Sequence, residues 1–209
     1  YVEHLFVANT HDYILFFTAG GRIYWEKVYE IPEAGRTARG KAIVNLLQLK
    51  SEEQIAAMVR VRDFPKTEFL VMATEKGVVK KTNLSEFGNP RRDGIIAINI
   101  DEGDRLIAVK LTNGQNDVML ATRNGMSLHF SEAELRDQGR ATRGVIGIRL
   151  EETDKLESLE IVDPKATFFV CTEYGYGKRT SFEEYRGQHR GGKGIYSMRA
   201  SERNGRVVG

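Results

Sequence analysis

Thr122-Arg123-Asn124-Gly125 stands between two short apolar stretches, and the same punctuation occurs three more times, as Thr18-Ala19-Gly20-Gly21, Thr74-Glu75-Lys76-Gly77 and Thr172-Glu173-Tyr174-Gly175. The Thr-to-Thr distances are 56, 48 and 50 residues, so a unit of about 50 residues repeats along the chain. Before each turn lies an apolar run, such as Phe69-Leu70-Val71-Met72-Ala73 or Thr167-Phe168-Phe169-Val170-Cys171, whose β-branched and aromatic content favours a strand. The Gly supplies the positive φ of a tight hairpin, and Asn124-Gly125 is the clearest such signal. A second, more basic strand follows each turn, at residues 22–25, 78–81, 126–129 and 176–179.

Another glycine recurs downstream at Gly40, Gly94, Gly144 and Gly194, at 22, 20, 22 and 22 residues from the turn Thr. An alternating stretch follows each one, at residues 42–46, 95–99, 145–149 and 195–199, and reads as a third strand. Between the second strand and this glycine lies a short acidic and aromatic stretch, as in Leu84-Ser85-Glu86-Phe87 and Phe182-Glu183-Glu184-Tyr185, read as a helical turn or loop. Closing strands are expected at residues 54–61, 105–111 and 156–162, and the fourth unit stops before its own. Four-stranded units that cannot each bury two faces must stack, so the expected fold is all-β and propeller-like, a partial ring of four repeats. The chain is expected to be one domain, 1–209, with approximate blades 1–62, 63–112, 113–163 and an incomplete 164–209.

The composition narrows the function. Hydrophobic residues make up 41% of the 209 positions, enough for a core, and no apolar run approaches the roughly 20 residues of a membrane span. Cys171 is the only cysteine, which precludes an internal disulfide and suits a reducing cytoplasm. The chain opens on Tyr1 rather than Met and reads as a piece of a longer protein. Its net charge of +2 does not announce a nucleic-acid binder, so any such role requires the cations to be segregated on one face.

The loops before the second glycine are the candidate site. The fourth reads Gln188-His189-Arg190-Gly191-Gly192-Lys193-Gly194; the first is Ala34-Gly35-Arg36-Thr37-Ala38-Arg39-Gly40, followed by Lys41, and the third is Gln138-Gly139-Arg140-Ala141-Thr142-Arg143-Gly144. All three place one base four residues before the glycine and another one residue before it. The second loop, Gly88-Asn89-Pro90-Arg91-Arg92-Asp93-Gly94, carries its bases shifted and an acid where the others hold a base. Arg and Lys with accessible main-chain N–H groups suit phosphate oxygens, and glycines let a backbone approach a nucleic-acid strand. Repeated around a disc, such loops form a curved positive track, along which a duplex bends at a cost of a few kcal/mol. The basic second strands add Lys80, Lys81, Lys178 and Arg179 to the expected DNA contacts.

The 188–194 segment is similar to the signature box of the C-terminal domain of the bacterial DNA gyrase A subunit, which reads Gln, base, Arg, Gly, Gly, base, Gly; only His189 departs from it. Further stretches resemble the same family: Tyr1-Val2-Glu3-His4-Leu5-Phe6-Val7-Ala8-Asn9-Thr10-His11-Asp12, Val28-Tyr29-Glu30-Ile31-Pro32-Glu33-Ala34, Gly175-Tyr176-Gly177-Lys178-Arg179-Thr180 and Ser201-Glu202-Arg203-Asn204-Gly205. The resemblance implies a β-pinwheel whose blades exchange a strand, with double-stranded DNA wrapped around its outer edge. It implies a bacterial, nucleoid-associated module that supports negative supercoiling within an A2B2 holoenzyme of gyrase A and B subunits. The catalytic tyrosine and ATP site of that enzyme belong elsewhere, so no catalytic residue, metal or cofactor is expected here. The family's principal box lies in its first blade, upstream of the Tyr1–Asp12 match, whereas the good copy here is in the last unit.

Other motifs lead nowhere. Residues 187–193 have the spacing of a phosphate-binding P-loop, but Gly194 replaces the Ser or Thr and a strand follows instead of a helix. His4, His11, His129 and His189 show no metal-ligand spacing, Cys171 suits core packing, and Trp25 suits packing at a blade edge. Two other functions compete: the equivalent domain of topoisomerase IV, and a propeller-like platform for an acidic protein partner.

Overall fold

A computed structural model describes residues 4, 5 and 7–209 of the chain. Tyr1, Val2, Glu3 and Phe6, which belong to the N-terminal stretch resembling the gyrase family, lie outside the described residues. The first repeat supplies β1 (Tyr13–Thr18), β2 (Arg22–Lys27) and β3 (Ile55–Val61). The second supplies β4 (Phe69–Thr74), β5 (Val78–Asn83), β6 (Ile95–Ile96) and β7 (Leu106–Thr112). The third supplies β8 (Asp117–Thr122), β9 (Met126–Ser131), β10 (Val145–Ile146) and β11 (Leu156–Ile161), and the fourth β12 (Thr167–Cys171), β13 (Gly177–Ser181) and β14 (Ile195–Tyr196).

Sheets and sequence repeats do not coincide. The sheet orders are β3-β1-β2-β6, β10-β5-β4-β7, β11-β8-β9-β14 and β12-β13. Every four-stranded sheet thus takes three strands from one repeat and its fourth, a two-residue strand, from the next. All these pairings are antiparallel.

The two glycine anchors mark this exchange. The Gly21, Gly77 and Gly125 carbonyls accept from the donated segment, for example from Ala97 N–H at 2.8 Å, Gly147 N–H at 2.8 Å and Ser197 N–H at 3.0 Å. A Cβ on Gly125 would lie 1.7 Å from the Met198 carbonyl oxygen, and one on Gly194 2.4 Å from the Ser127 carbonyl oxygen. Gly40 and Gly175, which have no neighbouring blade beside them, keep the positive φ but meet nothing within 4 Å. Gly21, Gly77 and Gly125, with Gly94, Gly144 and Gly194, therefore also seat the donated strands.

The turn threonines are buried, and in three repeats the hydroxyl accepts from the residue after the Gly, as Thr122 does from Met126 N–H at 3.2 Å. Each second strand runs into a short 3-10 turn: Val28–Glu30, Leu84–Phe87, Glu132–Glu134 and Phe182–Glu184. Asn83, Ser131 and Ser181 cap the last three through side-chain oxygens.

The core lies between sheets. In β4, Leu70 and Met72 face the first sheet while Val71 and Ala73 face the third, so the strand is apolar throughout. In β12 only Phe168 and Val170 are covered, by the third sheet, and Phe169 is exposed.

Two expectations about the first and fourth repeats fail. Residues 42–46 are not a strand: Ile43–Asn45 forms a 3-10 turn. With no preceding blade among the described residues to accept a strand, the segment folds back and packs Leu47 on Ile14, Phe16 and Tyr24. The fourth unit does begin its closing strand. Val207 bridges Thr172, and Val208 N–H donates to the Cys171 carbonyl at 3.0 Å.

Candidate nucleic-acid interface

In each four-stranded sheet the closing strand forms one edge and the donated strand the other. The closing strands β3, β7 and β11 come together around one groove, lined by residues including Met58, Val109, Lys110 and Glu160, with an ion pair of 2.8 Å between the last two. The donated strands therefore lie three strand spacings away, roughly 14 Å from that inner edge. The basic loops ending at Gly94, Gly144 and Gly194 lead directly into them and share the outer edge, whereas the 34–41 loop leads into the Ile43–Asn45 turn.

The 188–194 loop is held on the third repeat by its backbone. Gln188 N–H donates to the His129 carbonyl at 2.8 Å, and the Gly192 carbonyl accepts from Arg149 N–H at 2.9 Å. Glu134 anchors the middle of the loop: its carboxylate accepts from Arg190 N–H and faces His189 Nδ1, both at 3.1 Å. The Arg190 guanidinium donates to the carbonyls of Glu134 and Ile146 at 3.3 and 3.2 Å, so this half-buried side chain doubles as an inter-blade clamp. Lys193 is exposed and His189 fully so, while Gly191 and Gly192 are half-buried. The 138–144 loop repeats the pattern: Gln138 N–H donates to Lys81, and Asn99 N–H to Thr142, each at 2.9 Å.

The other expected contacts divide into three groups. Arg36, Arg39, Lys41, Arg91 and Arg92 are exposed, Arg140 is half-buried, and Arg143 is exposed but paired with Asp101 at 2.6 Å. Arg91 and Arg140, from successive repeats, line one groove together with Glu86. Lys178 and Arg179 are exposed on β13, the strand edge that in the other sheets receives a donated strand.

Lys80 and Lys81 are corrections. Both are buried, and neither ammonium reaches the surface. Lys80 Nζ donates to the carbonyls of Ala97, at 2.7 Å, and Arg140. Lys81 Nζ donates to the Glu132 carbonyl at 3.0 Å and lies over the Phe69 ring. They pin the third repeat to the second, so they set the position of the 138–144 loop without being available to a ligand. His129, the counterpart of Lys81 in the following blade, makes an equivalent link, with Nδ1 2.7 Å from the Tyr185 carbonyl.

Burial, reinforced by the charge of Arg140, pushes the Lys80 ammonium down to about 8. Lys80→Met is expected to cost about 2 kcal/mol at pH 7, because buried carbonyls lose their donor. Between pH 8 and the ordinary lysine range the unfolded chain binds more protons than the folded one, so wild-type stability rises there relative to the variant. Urea unfolding of both proteins at pH 7 and pH 9.5 checks this; a gap that narrows at the higher pH contradicts it.

Sequence reasoning passed over two residues. Arg22 holds the second loop by donating to the Asp93 and Gly94 carbonyls. Glu134 belongs to a series, Glu30, Glu86, Glu134 and Glu184, each 12 residues after its turn threonine, and that constant offset was the available signal. Among the described residues no group of three or more His, Cys, Asp or Glu could hold a metal ion, and no helix is long and apolar enough to cross a membrane.

Comparison with known proteins agrees with this architecture. The family model described as "DNA gyrase C-terminal domain, beta-propeller" matches residues 12–62, 68–113, 116–163 and 166–209. The DNA gyrase A subunit of Buchnera aphidicola is 53% identical over 140 residues, which is 67% of this chain but 16% of that protein. Its counterpart in Mycolicibacterium smegmatis is 48% identical over 143 residues, 68% of this chain and 17% of its own length. The chain thus spans about a sixth of these relatives. Among solved structures, the C-terminal domain of a DNA topoisomerase IV superposes with a TM-score of 0.86 at 29% identity, covering 97% of this chain and 64% of that one. A DNA gyrase A C-terminal domain superposes at 0.82 with 24% identity over 96% and 65%, a likeness of fold. With the family model covering nearly all of its length in four successive segments that follow the four repeats, the chain belongs to the DNA gyrase C-terminal domain family of β-propellers.

Proposed function

We propose that this chain binds double-stranded DNA along its outer edge and bends it, as a non-catalytic region of a DNA gyrase A subunit. The observation that carries the reading is the placement of Arg39, Arg143 and Lys193. They hold the same sequence position in three repeats, one residue before the loop glycine, and all three are exposed; Arg143 and Lys193 also stand directly before donated strands on the outer edge. A row of cations at one register on the outside of a stack of blades suits a phosphate backbone followed without regard to sequence. In the parent enzyme the wrap would supply the segment passed through the gate and so support negative supercoiling, with ATP hydrolysis and DNA cleavage on residues outside this chain. The partners are the B subunit, together with the rest of the A subunit, in an A2B2 assembly in the bacterial cytoplasm and on the nucleoid.

The test is a salt titration of duplex binding. With about six phosphates neutralised, log K against log salt is expected to fall with a slope of about −5. A flat response contradicts the reading and favours a platform for a protein partner.

The likeness to a topoisomerase IV C-terminal domain, at 29% identity, favours a second reading in which the domain shapes substrate preference and does not wrap. The box at Gln188–Gly194, which departs from the family pattern only at His189, favours gyrase. Positive writhe induced in a DNA minicircle supports wrapping; binding without writhe supports the topoisomerase IV reading.

A further inference from the structure

Each donated strand is two residues long, and its alternation sends one side chain in and the other out. The first residues, Ile95, Val145 and Ile195, pack against the cores between sheets. The second residues point the other way: Ile96 is 43% exposed, Ile146 53% and Tyr196 63%. Three large apolar or aromatic side chains, at strict 50-residue spacing, stand uncovered on the outer edge of three successive sheets.

Their surroundings are cationic. Ile96 shares an open groove with Arg91 and Arg140, and with the acid Glu86. Ile146 adjoins the fourth loop, with Arg190 donating to its carbonyl at 3.2 Å. The guanidinium of Arg199 lies 5.7 Å from the Tyr196 ring centroid. For Ile96 and Ile146 the neighbouring arginine is the same element of the following repeat, four residues before its loop glycine. An apolar side chain paired with a cation, repeated once per blade, matches a surface that alternates apolar faces with negative charge. The wall of a DNA minor groove is such a surface, with deoxyribose C–H faces between phosphates.

We propose that Ile96, Ile146 and Tyr196 seat against deoxyribose faces of the minor groove of duplex DNA curved around the outer edge. This inference rests on the DNA-bending reading and adds an apolar component to it. Bending toward the protein turns a compressed minor groove inward, where cations sit between its walls and apolar side chains pack on the sugars. Wedging between base steps is disfavoured, because such kinks turn the duplex toward its major groove and away from the protein. The contacts are sequence-tolerant, since all four nucleotides present the same sugar.

A salt titration separates this component from the phosphate contacts, which set the slope, while apolar contacts set the affinity extrapolated to 1 M salt. The chain would be compared with an Ile96→Ser, Ile146→Ser, Tyr196→Ser triple variant, with Leu at all three positions, and with Phe169→Ser, an exposed residue on the terminal sheet. Each serine is expected to weaken binding about threefold to tenfold. The triple serine variant then keeps the wild-type slope and loses the extrapolated affinity, while the leucine and Phe169→Ser proteins retain it. An unchanged extrapolated affinity in the triple serine variant overturns the inference and leaves DNA binding intact. Loss in the leucine variant equal to that in the serine variant also overturns it, since apolar surface alone would then not suffice. A flat wild-type slope removes the underlying DNA reading, and this one with it.

Discussion

Gly125→Ala is expected to cost about 3–5 kcal/mol and to loosen the fourth repeat from the third, whereas Gly175→Ala costs about 1 kcal/mol. Both glycines close the same turn, with φ of 87° and 80°, so both substitutions carry the strain of a left-handed alanine. They differ in what the methyl meets. At Gly125 it would lie 1.7 Å from the Met198 carbonyl oxygen, within a donated segment bound to the Gly125 carbonyl through Ser197 N–H; at Gly175 it meets nothing within 4 Å. Relief at Gly125 requires that segment to move away and give up its hydrogen bonds. Because stacked repeats unfold as coupled units, a weakened joint should also broaden the transition or split it in two. Urea unfolding of the two variants measures the contrast, and equal losses would show that backbone conformation alone fixes these glycines.

The second large effect concerns charge. Reversing Arg39, Arg143 and Lys193 together to Glu is expected to lower duplex affinity about 500-fold or more at 0.1 M salt, and to reduce the steepness of the salt dependence by nearly three units. Both figures follow from losing three phosphate contacts of about six, each worth about 0.9 in the exponent of salt concentration. All three residues are exposed; among the described residues only Arg143 is paired, with Asp101, and that partner is itself 41% exposed. The reversal should therefore leave stability within about 0.5 kcal/mol, as surface changes usually do. Steep loss of binding with an unchanged melting curve is the expected pair of results. An unaltered slope would move the contact surface away from the outer edge.

Much of the blade was legible in the sequence because glycine and threonine mark local backbone events. The turn at Thr122–Gly125 is closed by its own Gly125 N–H to Thr122 carbonyl bond at 2.9 Å, so the hairpin it predicts is readable from local sequence. What could not be read depends on which repeat lies alongside. Lys80 and Lys81 look like a solvent-facing basic strand end, yet a neighbouring blade supplies carbonyls to both. Lys178 and Arg179 occupy the matching strand in the fourth repeat and are exposed, with no donated strand beside β13 among the described residues. Residues 42–46 carry the alternation of a donated strand, yet Ile43–Asn45 adopts a 3-10 turn packed on the first sheet. The box itself was legible as chemistry, but its dependence on Glu134 was not, since the contact links positions 56 apart.

The exchange of Ile95–Ile96, Val145–Ile146 and Ile195–Tyr196 also sets an order of events on the ribosome. The β3-β1-β2 sheet, though its own three strands are complete at Val61, keeps a bare edge until residue 96 has left the exit tunnel. Each of the three four-stranded sheets is finished by a strand from the following repeat, so a chain stalled before that strand emerges would present an unfinished sheet edge to chaperones.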